Sequence, residues 1–454
     1  MVALKRGLPA VLLIFIAACK TVGPDYQKPA VAVPDAFYGA AATTESIADA
    51  QWFDVFSDPV LRSLIEEALR NGYDVRIATA RVEEARARYG IAGAAKLPEV
   101  DYEARGGYGR QAGETGAAFL GNVGAFWEID LWGRIRRLNE AARAQYLGSE
   151  EGRRAVRLAL ASEVASAYFD LRELDEELDI ARRTAGAFGN TYELFDNRLR
   201  GGTASGLETS RAEALLANAA ALIPLIEADI IATENQINVL LGRVPGPIPR
   251  GGALAAQPIP AAVPGGLPAA LLLRRPDVRA AEQALIAANA NVGVAQAAFY
   301  PSLSLTGLLG VQSEELGDLF GEGRVWNIQA GLLGPIFNAG RLRNQHRAAV
   351  AQFDVALAQY EQSVTRALAD VSTSLVSLEK FAAAEEQRQR ALRANQEAVR
   401  LVTLRYDSGF SAYFEVLDAM QQLFTAENNL ARTRRDRLVA LVRLYRVLGG
   451  GWQT

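Results

Sequence analysis

The chain has almost none of the residues that bind metals or carry out covalent chemistry. Its 454 residues include one histidine, one cysteine and two methionines. Zinc, iron–sulfur and thiol chemistry lack ligands, and a disulfide within the chain is impossible. A Ser-His-Asp triad has only His346 to draw on, and that residue lies in the basic stretch from Arg341 to Arg347, which reads as a solvated helix start. No catalytic residue, metal or cofactor is therefore expected. Charge of one sign is also missing. The net charge is −4, the signs are mixed, and no basic stripe marks a nucleic-acid footprint. Beyond the N-terminus there is no run of about 18 apolar residues to make a transmembrane helix, so any spanning falls to strands.

What the chain does have is repetition. Arg198, Gly202, Leu207-Glu208, Ala212, Asp229, Ile237 and Leu241-Gly242 return as Arg405, Gly409, Phe414-Glu415, Ala419, Asp436, Leu444 and Leu448-Gly449, each pair 207 positions apart. Asp74-Val75-Arg76, Gly90 and Pro98 return as Asp277-Val278-Arg279, Gly293 and Pro301, 203 positions apart. A duplication this long implies two structural units, 57–242 and 269–449, that complete each other. Residues 243–268 between them are dense in proline and glycine and read as a linker. Residues 450–454 form a tail.

The N-terminus is an address. Lys5 and Arg6 precede an apolar run from Leu8 to Ala18, the plan of an export signal. Small residues just before Cys19 resemble a bacterial lipobox, which implies removal of 1–18 and lipid on Cys19. Lys20 in the next position argues, by the same resemblance, against retention at the inner membrane. Residues 19–56 then begin as an extended strap containing Pro24, Pro29 and Pro34.

Four segments alternate with a period of two. Val100, Tyr102 and Ala104 alternate with Asp101, Glu103 and Arg105. Val123, Ala125, Trp127, Ile129 and Leu131 alternate with small or polar residues that include Glu128 and Asp130. Leu303 and Leu305, then Trp326, Ile328, Ala330 and Leu332, follow the same rule. This predicts two β-hairpins, about 99–131 and 302–337, with loops around 112–121 and 314–323. One face is apolar. The other carries Asp101, Glu103, Arg105, Glu128 and Asp130 toward a lumen. The pattern also fits a half-buried sheet on a soluble domain. The lipid signal and the lack of any other large β element favour the membrane. Four strands cannot close a barrel, and lipid does not tolerate an open edge, so two or more copies must combine.

Between the hairpins the signal is helical. Arg134 to Arg200 contains no proline, and at 1.5 Å per residue it predicts a helix about 100 Å long. Its counterpart runs from Arg341 to about Tyr406. Each turns at a glycine, near Gly202-Thr203 and Gly409-Phe410, and returns as a second helix, Gly206 to Leu241 and Ala412 to Leu448. Pro224 is expected to kink the first of these.

The segment Leu272-Leu-Arg-Arg-Pro-Asp-Val-Arg279, with Ala298-Phe-Tyr-Pro301, Glu128-Ile-Asp-Leu-Trp-Gly-Arg134 and Leu404-Arg-Tyr406, resembles the outer membrane factor (TolC-like) family. The likeness is to its OprM/NodT-like lipoprotein branch, which serves RND-type tripartite efflux systems, and it covers essentially the whole mature chain. The resemblance implies a mainly α fold with a membrane β-barrel. In a homotrimer, four strands per protomer complete a 12-stranded barrel, and the antiparallel helical hairpins form an α-barrel through the periplasm. It implies no enzyme, but a passive duct in the outer membrane for small molecules. Its partners are two further copies, a periplasmic adaptor protein, an inner-membrane RND-type pump and outer-membrane lipid. Phe414 and Asp418 match the family's gate positions, one helical turn apart. Gln421 stands where relatives often carry Arg, which removes a possible salt bridge. The hairpin residues Gly202, Thr203, Gly409 and Phe410 are candidates for adaptor contact. Two rival readings remain: the duct of a protein secretion system, and a non-pore periplasmic coiled-coil scaffold.

Overall fold

In the computed structural model, the described residues are 21–38, 56, 58–111, 114–257, 259, 266, 268–269, 274–321 and 323–450. Cys19, the signal segment, residues 258, 260–265 and 267 of the linker and residues 451–454 of the tail lie outside them. The elements in chain order are α1 (Pro59–Asn71), α2 (Tyr73–Ala94), β1 (Glu99–Gln111), β2 (Glu114–Ile129), α3 (Arg134–Arg200), α4 (Gly206–Leu241), α5 (Pro276–Ala297), β3 (Ser302–Ser313), β4 (Arg324–Leu333), α6 (Arg341–Asp407) and α7 (Tyr413–Val447). The chain divides into two compact units.

The first unit holds Met1–Val31, Ala80–Gly152 and Asp277–Ser363. Its sheet is antiparallel in the order β1-β2-β3-β4, leaving β1 and β4 as edges. The register puts Val100 opposite Ala125, Val123 opposite Leu309, Trp127 opposite Leu305, and Leu309 opposite Trp326. One face of the sheet is thus apolar across all four strands, as the alternation predicts. Asp101, Glu103, Arg105 and Glu128 share the other face, with Asn122, Thr306, Asn327 and Gln329. The first hairpin is longer than expected. Gln111 pairs with Glu114, so the strands run through the segment 112–121 that reads as a loop. Gly116, Ala117 and Ala118 look like loop residues, yet they pair across to β1, where backbone hydrogen bonds outweigh weak strand propensity.

Beneath the sheet, Ala141 and Ala144 of α3 pack on Ala287 and Ala290 of α5. Small side chains allow this close approach. Residues 21–28 lie along α5 as a strap. The Val22 amide donates to the Trp132 carbonyl, and Asn289 donates to the Pro24 carbonyl. Arg137 is 4% exposed and donates to Asp25, Glu140 and the carbonyls of Val22 and Gly23. Tyr26 and Lys28 both donate to Glu282.

The second unit holds Ala32–Thr79, Arg153–Pro276 and Val364–Thr454. Its core joins Leu61, Leu64 and Ile65 of α1 with Tyr168, Phe169 and Leu171 of α3, Ile237 and Leu241 of α4, and Leu438, Leu441 and Leu444 of α7. Asp58 caps α1 by accepting from the amides of Val60 and Leu61. It also accepts from the buried Tyr168 hydroxyl at 3.0 Å and from Gln257 at 2.8 Å, which ties the linker to α1. Burial raises the Tyr168 phenol well above its usual range.

The duplication persists to single hydrogen bonds. Thr203 N donates to Arg198 O, and Phe410 N to Arg405 O. Arg243 N donates to Asn238 O, and Gly450 N to Tyr445 O. Gly202, Gly242, Gly409 and Gly449 all adopt positive φ, which closes each helix with a left-handed cap. α3 and α6 are equal in length, 67 residues each, and α4 continues through Pro224. One expectation does not hold. α4 is long and apolar enough to cross a membrane by length and composition, with a window of mean hydropathy 1.8 that is only 6% buried. Scattered Glu, Asn and Thr residues interrupt any continuous apolar run, so only the average over the helix brings it out.

Candidate functional site

The two helical hairpins of the second unit end in turns at Gly202-Thr203 and Gly409-Phe410. The first restart is fixed by a capping box: Ser205 N donates to Glu208 and Glu208 N returns to the Ser205 hydroxyl. Phe410 is 78% exposed at its turn. The first turns of α7 then present Phe414, Asp418 and Gln421, three and four residues apart and so on one face. The Arg211 guanidinium of α4 lies 5.1 Å from the centre of the Phe414 ring. Asp418 is exposed and accepts from Gln422 Nε2 at 2.8 Å. Asp418 and Gln421 line a groove of about 450 Å³ between α6 and α7, together with Arg388 and Asn395.

Three features escaped the sequence reading. The first is an aromatic joint between the hairpins. The hydroxyls of Thr191 and Tyr413 are 2.8 Å apart, and Tyr413 stacks edge-on to both Phe195 (4.8 Å) and Tyr406 (4.7 Å). Arg198 donates to the Tyr406 hydroxyl and lies over both the Phe195 and Tyr406 rings. The duplication flags Arg198 only as a repeat position, and nothing in its spacing announces aromatic partners on another helix. The second is a belt of buried charge. Glu173 and Glu177 of α3 face Arg432 of α7, while Glu385 of α6 receives Arg434 and Arg437. Burial, and then the neighbouring Glu177, push Glu173 up to about 8. The third is Arg388 itself.

The expected lumen residues divide. Asp101 and Glu103 sit on the polar face of β1, and Glu103 pairs with Arg105. Glu128 shares that face but is held by a two-pronged ion pair with Arg134, at 2.9 and 2.6 Å. Asp130 is corrected. β2 ends at Ile129, and Asp130 caps α3 by accepting from the amides of Ile135 and Arg136. Leu131 likewise lies past the strand, because the capping geometry turns the chain there.

The two halves each match one family model, Outer membrane efflux protein, at residues 64–243 and 267–450. The chain is 36% identical over 465 residues to the solvent efflux pump outer membrane protein SrpC of Pseudomonas putida, covering 98% of each chain. It is 33% identical over 457 residues to the probable outer membrane lipoprotein SilC of Salmonella typhimurium, covering 99% of each. Among solved structures, the open state of the Neisseria gonorrhoeae MtrE outer membrane channel superposes with a TM-score of 0.88 at 34% identity, covering 95% of this chain and 98% of that one. A duplicated helical hairpin, a four-stranded sheet with one apolar face and full-length likeness to such channels lead to one conclusion: the chain belongs to the outer membrane efflux protein family and is an outer-membrane channel.

Proposed function

We propose that the chain is the passive exit duct of a tripartite efflux system, assembled from three copies in the outer membrane. The observation that carries this reading is the sheet: four strands, one face apolar through the middle of every strand, and two edges, β1 and β4, without strand partners among the described residues. In lipid those edges must be satisfied, and β4 of one copy against β1 of the next does so. Three copies give twelve strands, within the range of barrels that leave a lumen. The same assembly covers the exposed apolar side of α4. An inner-membrane RND-type pump supplies the energy, and a periplasmic adaptor grips the turns at Gly202, Thr203, Gly409 and Phe410. The duct carries out no reaction of its own. Small apolar compounds are the favoured cargo, because SrpC, a full-length relative, is named for solvent efflux. Lipid on Cys19 accords with the lipoprotein named SilC. The strap holds Thr21 beside Gly133, just before α3.

Phe414 and Asp418 form the constriction at the far end. A ring of Asp418 carboxylates in a narrow pore draws cations and resists close approach of the helices. With Gln421 in place of a cation, the aromatic joint of Arg198, Tyr406 and Tyr413 is what holds α7 against α3. Purified protein reconstituted in a planar bilayer should conduct, and Asp418→Ala should raise conductance and lower cation preference. Protein that inserts without ever conducting would overturn the duct reading, and a scaffold without a pore would take its place. Conductance and ion preference unchanged in Asp418→Ala would remove Asp418 from the constriction.

A further inference from the structure

We infer that Arg388 is a second determinant of charge preference in the duct, acting as a positive ring in series with Asp418; this rests on the reading of Asp418 as a pore residue.

The groove between α6 and α7 holds one anion, Asp418, and one cation, Arg388. Its other lining residues are neutral: alanine, asparagine, glutamine and threonine. Because one groove contains both side chains, Arg388 faces the same space that Asp418 faces. The two do not form an ion pair. Asp418 is engaged by Gln422 from its own helix, and Arg388 has no carboxylate within ion-pairing distance among the described residues. Arg388 is exposed to solvent.

The two charges also sit at opposite ends of the groove. α6 runs toward the turn at Gly409 and α7 runs away from it, so the helices are antiparallel. On α7 the lining runs from Asp418 to Asn429, and on α6 from Asn395 back to Arg388. Asp418 therefore lies at the turn end and Arg388 at the far end, level with Asn429. Eleven residues of helix separate those levels by about 16 Å. That is roughly twice the Debye length at physiological salt, so an ion meets the two charges one after the other. In an assembly of copies each becomes a ring. The turn-end ring favours cations and the inner ring favours anions, which leaves the duct with weaker selectivity than either ring alone. Gln421, one turn past the acid on the same helix face, supplies no cation. The same sign of charge is supplied here from the neighbouring helix.

The test is the reversal potential of the full-length protein in planar bilayers under a potassium chloride gradient. Arg388→Gln should raise the potassium-to-chloride permeability ratio about threefold, the equivalent of about one kT of local potential. Arg388→Lys should keep the parent value, since only the charge matters. Asp418→Asn should move the ratio the other way. Adding Asn395→Arg to Arg388→Gln should restore anion preference, because position 395 lines the same groove. If Asp418→Asn shifts the ratio and Arg388→Gln does not, the inference fails while the constriction stands. If neither shifts it, the constriction reading fails and takes Arg388 with it. Arg388→Lys behaving like Arg388→Gln would also overturn the inference, because it would point to packing rather than charge.

Discussion

Glu173→Gln should make the assembled protein more stable, and increasingly so as pH rises. Glu173 and Glu177 lie one turn apart on α3 and are both buried. Arg432 places its Nε 2.7 Å from Glu177 and 3.7 Å from Glu173. Around them stand Asp170 and Glu176 on α3, Arg435 and Asp436 on α7, and Glu385 of α6 bound to Arg434. Burial, and then the charge of Glu177, outweigh the pull of Arg435 and Arg432, so Glu173 keeps its proton up to about 8, against its usual 4.5. A carboxyl raised in the folded state favours folding fully below about 4.5, and that contribution is lost as pH climbs to about 8. The whole window corresponds to about 2–5 kcal/mol, the lower figure allowing for a proton shared with Glu177. Glutamine has the same shape, donates to Glu177 as the carboxyl proton does, and does not titrate. The variant should gain about 2 kcal/mol at pH 8 and nothing at pH 4.5. The measurement is the urea midpoint of the detergent-purified protein, followed by tryptophan fluorescence from pH 4.5 to 9. Parallel profiles for parent and variant would refute the reasoning, because they would mean that Glu173 does not hold the proton.

Two further outcomes follow from the packing. Arg137→Ala leaves Asp25 and Glu140 without their buried cation and frees the carbonyls of Val22 and Gly23. It should cost about 1–2 kcal/mol, since Asp25 and Glu140 remain in contact with water, and expose the strap, read as faster chymotryptic cleavage after Tyr26. Gly242→Ala puts a methyl 2.7 Å from the Asn71 carbonyl at a φ of 73°. It should lower the urea midpoint by the equivalent of about 2 kcal/mol, whereas Gly246→Ala, in open space, should not.

How far the fold was legible depended on whether its cause was local. A turn that needs a left-handed glycine leaves that glycine in both halves, so Gly202 and Gly409 marked the hairpin ends and their hydrogen bonds proved equivalent. Alternation marks a strand face because successive side chains point opposite ways, so the apolar face of the sheet could be read off before its register was seen. The misread elements have causes that lie elsewhere in the chain. The tight end of the first hairpin depends on pairing across to β1, and Asp130 serves the helix that follows rather than the strand before it. The charge belt was hidden for a related reason. Acidic residues on α3 and arginines on α7 each look like an ordinary wet helix face, and only antiparallel packing closes one over the other. Arg388 is the same case in the groove beside Asp418. The sequence directed attention three residues past Asp418, to a glutamine, because a position on the same helix face is all that spacing can point to. A cation thirty positions earlier reaches the same groove only because α6 folds back along α7. The charge of a pore built from helical hairpins therefore has to be summed over facing helices, and a missing residue in one motif does not mean that its charge is missing from the pore.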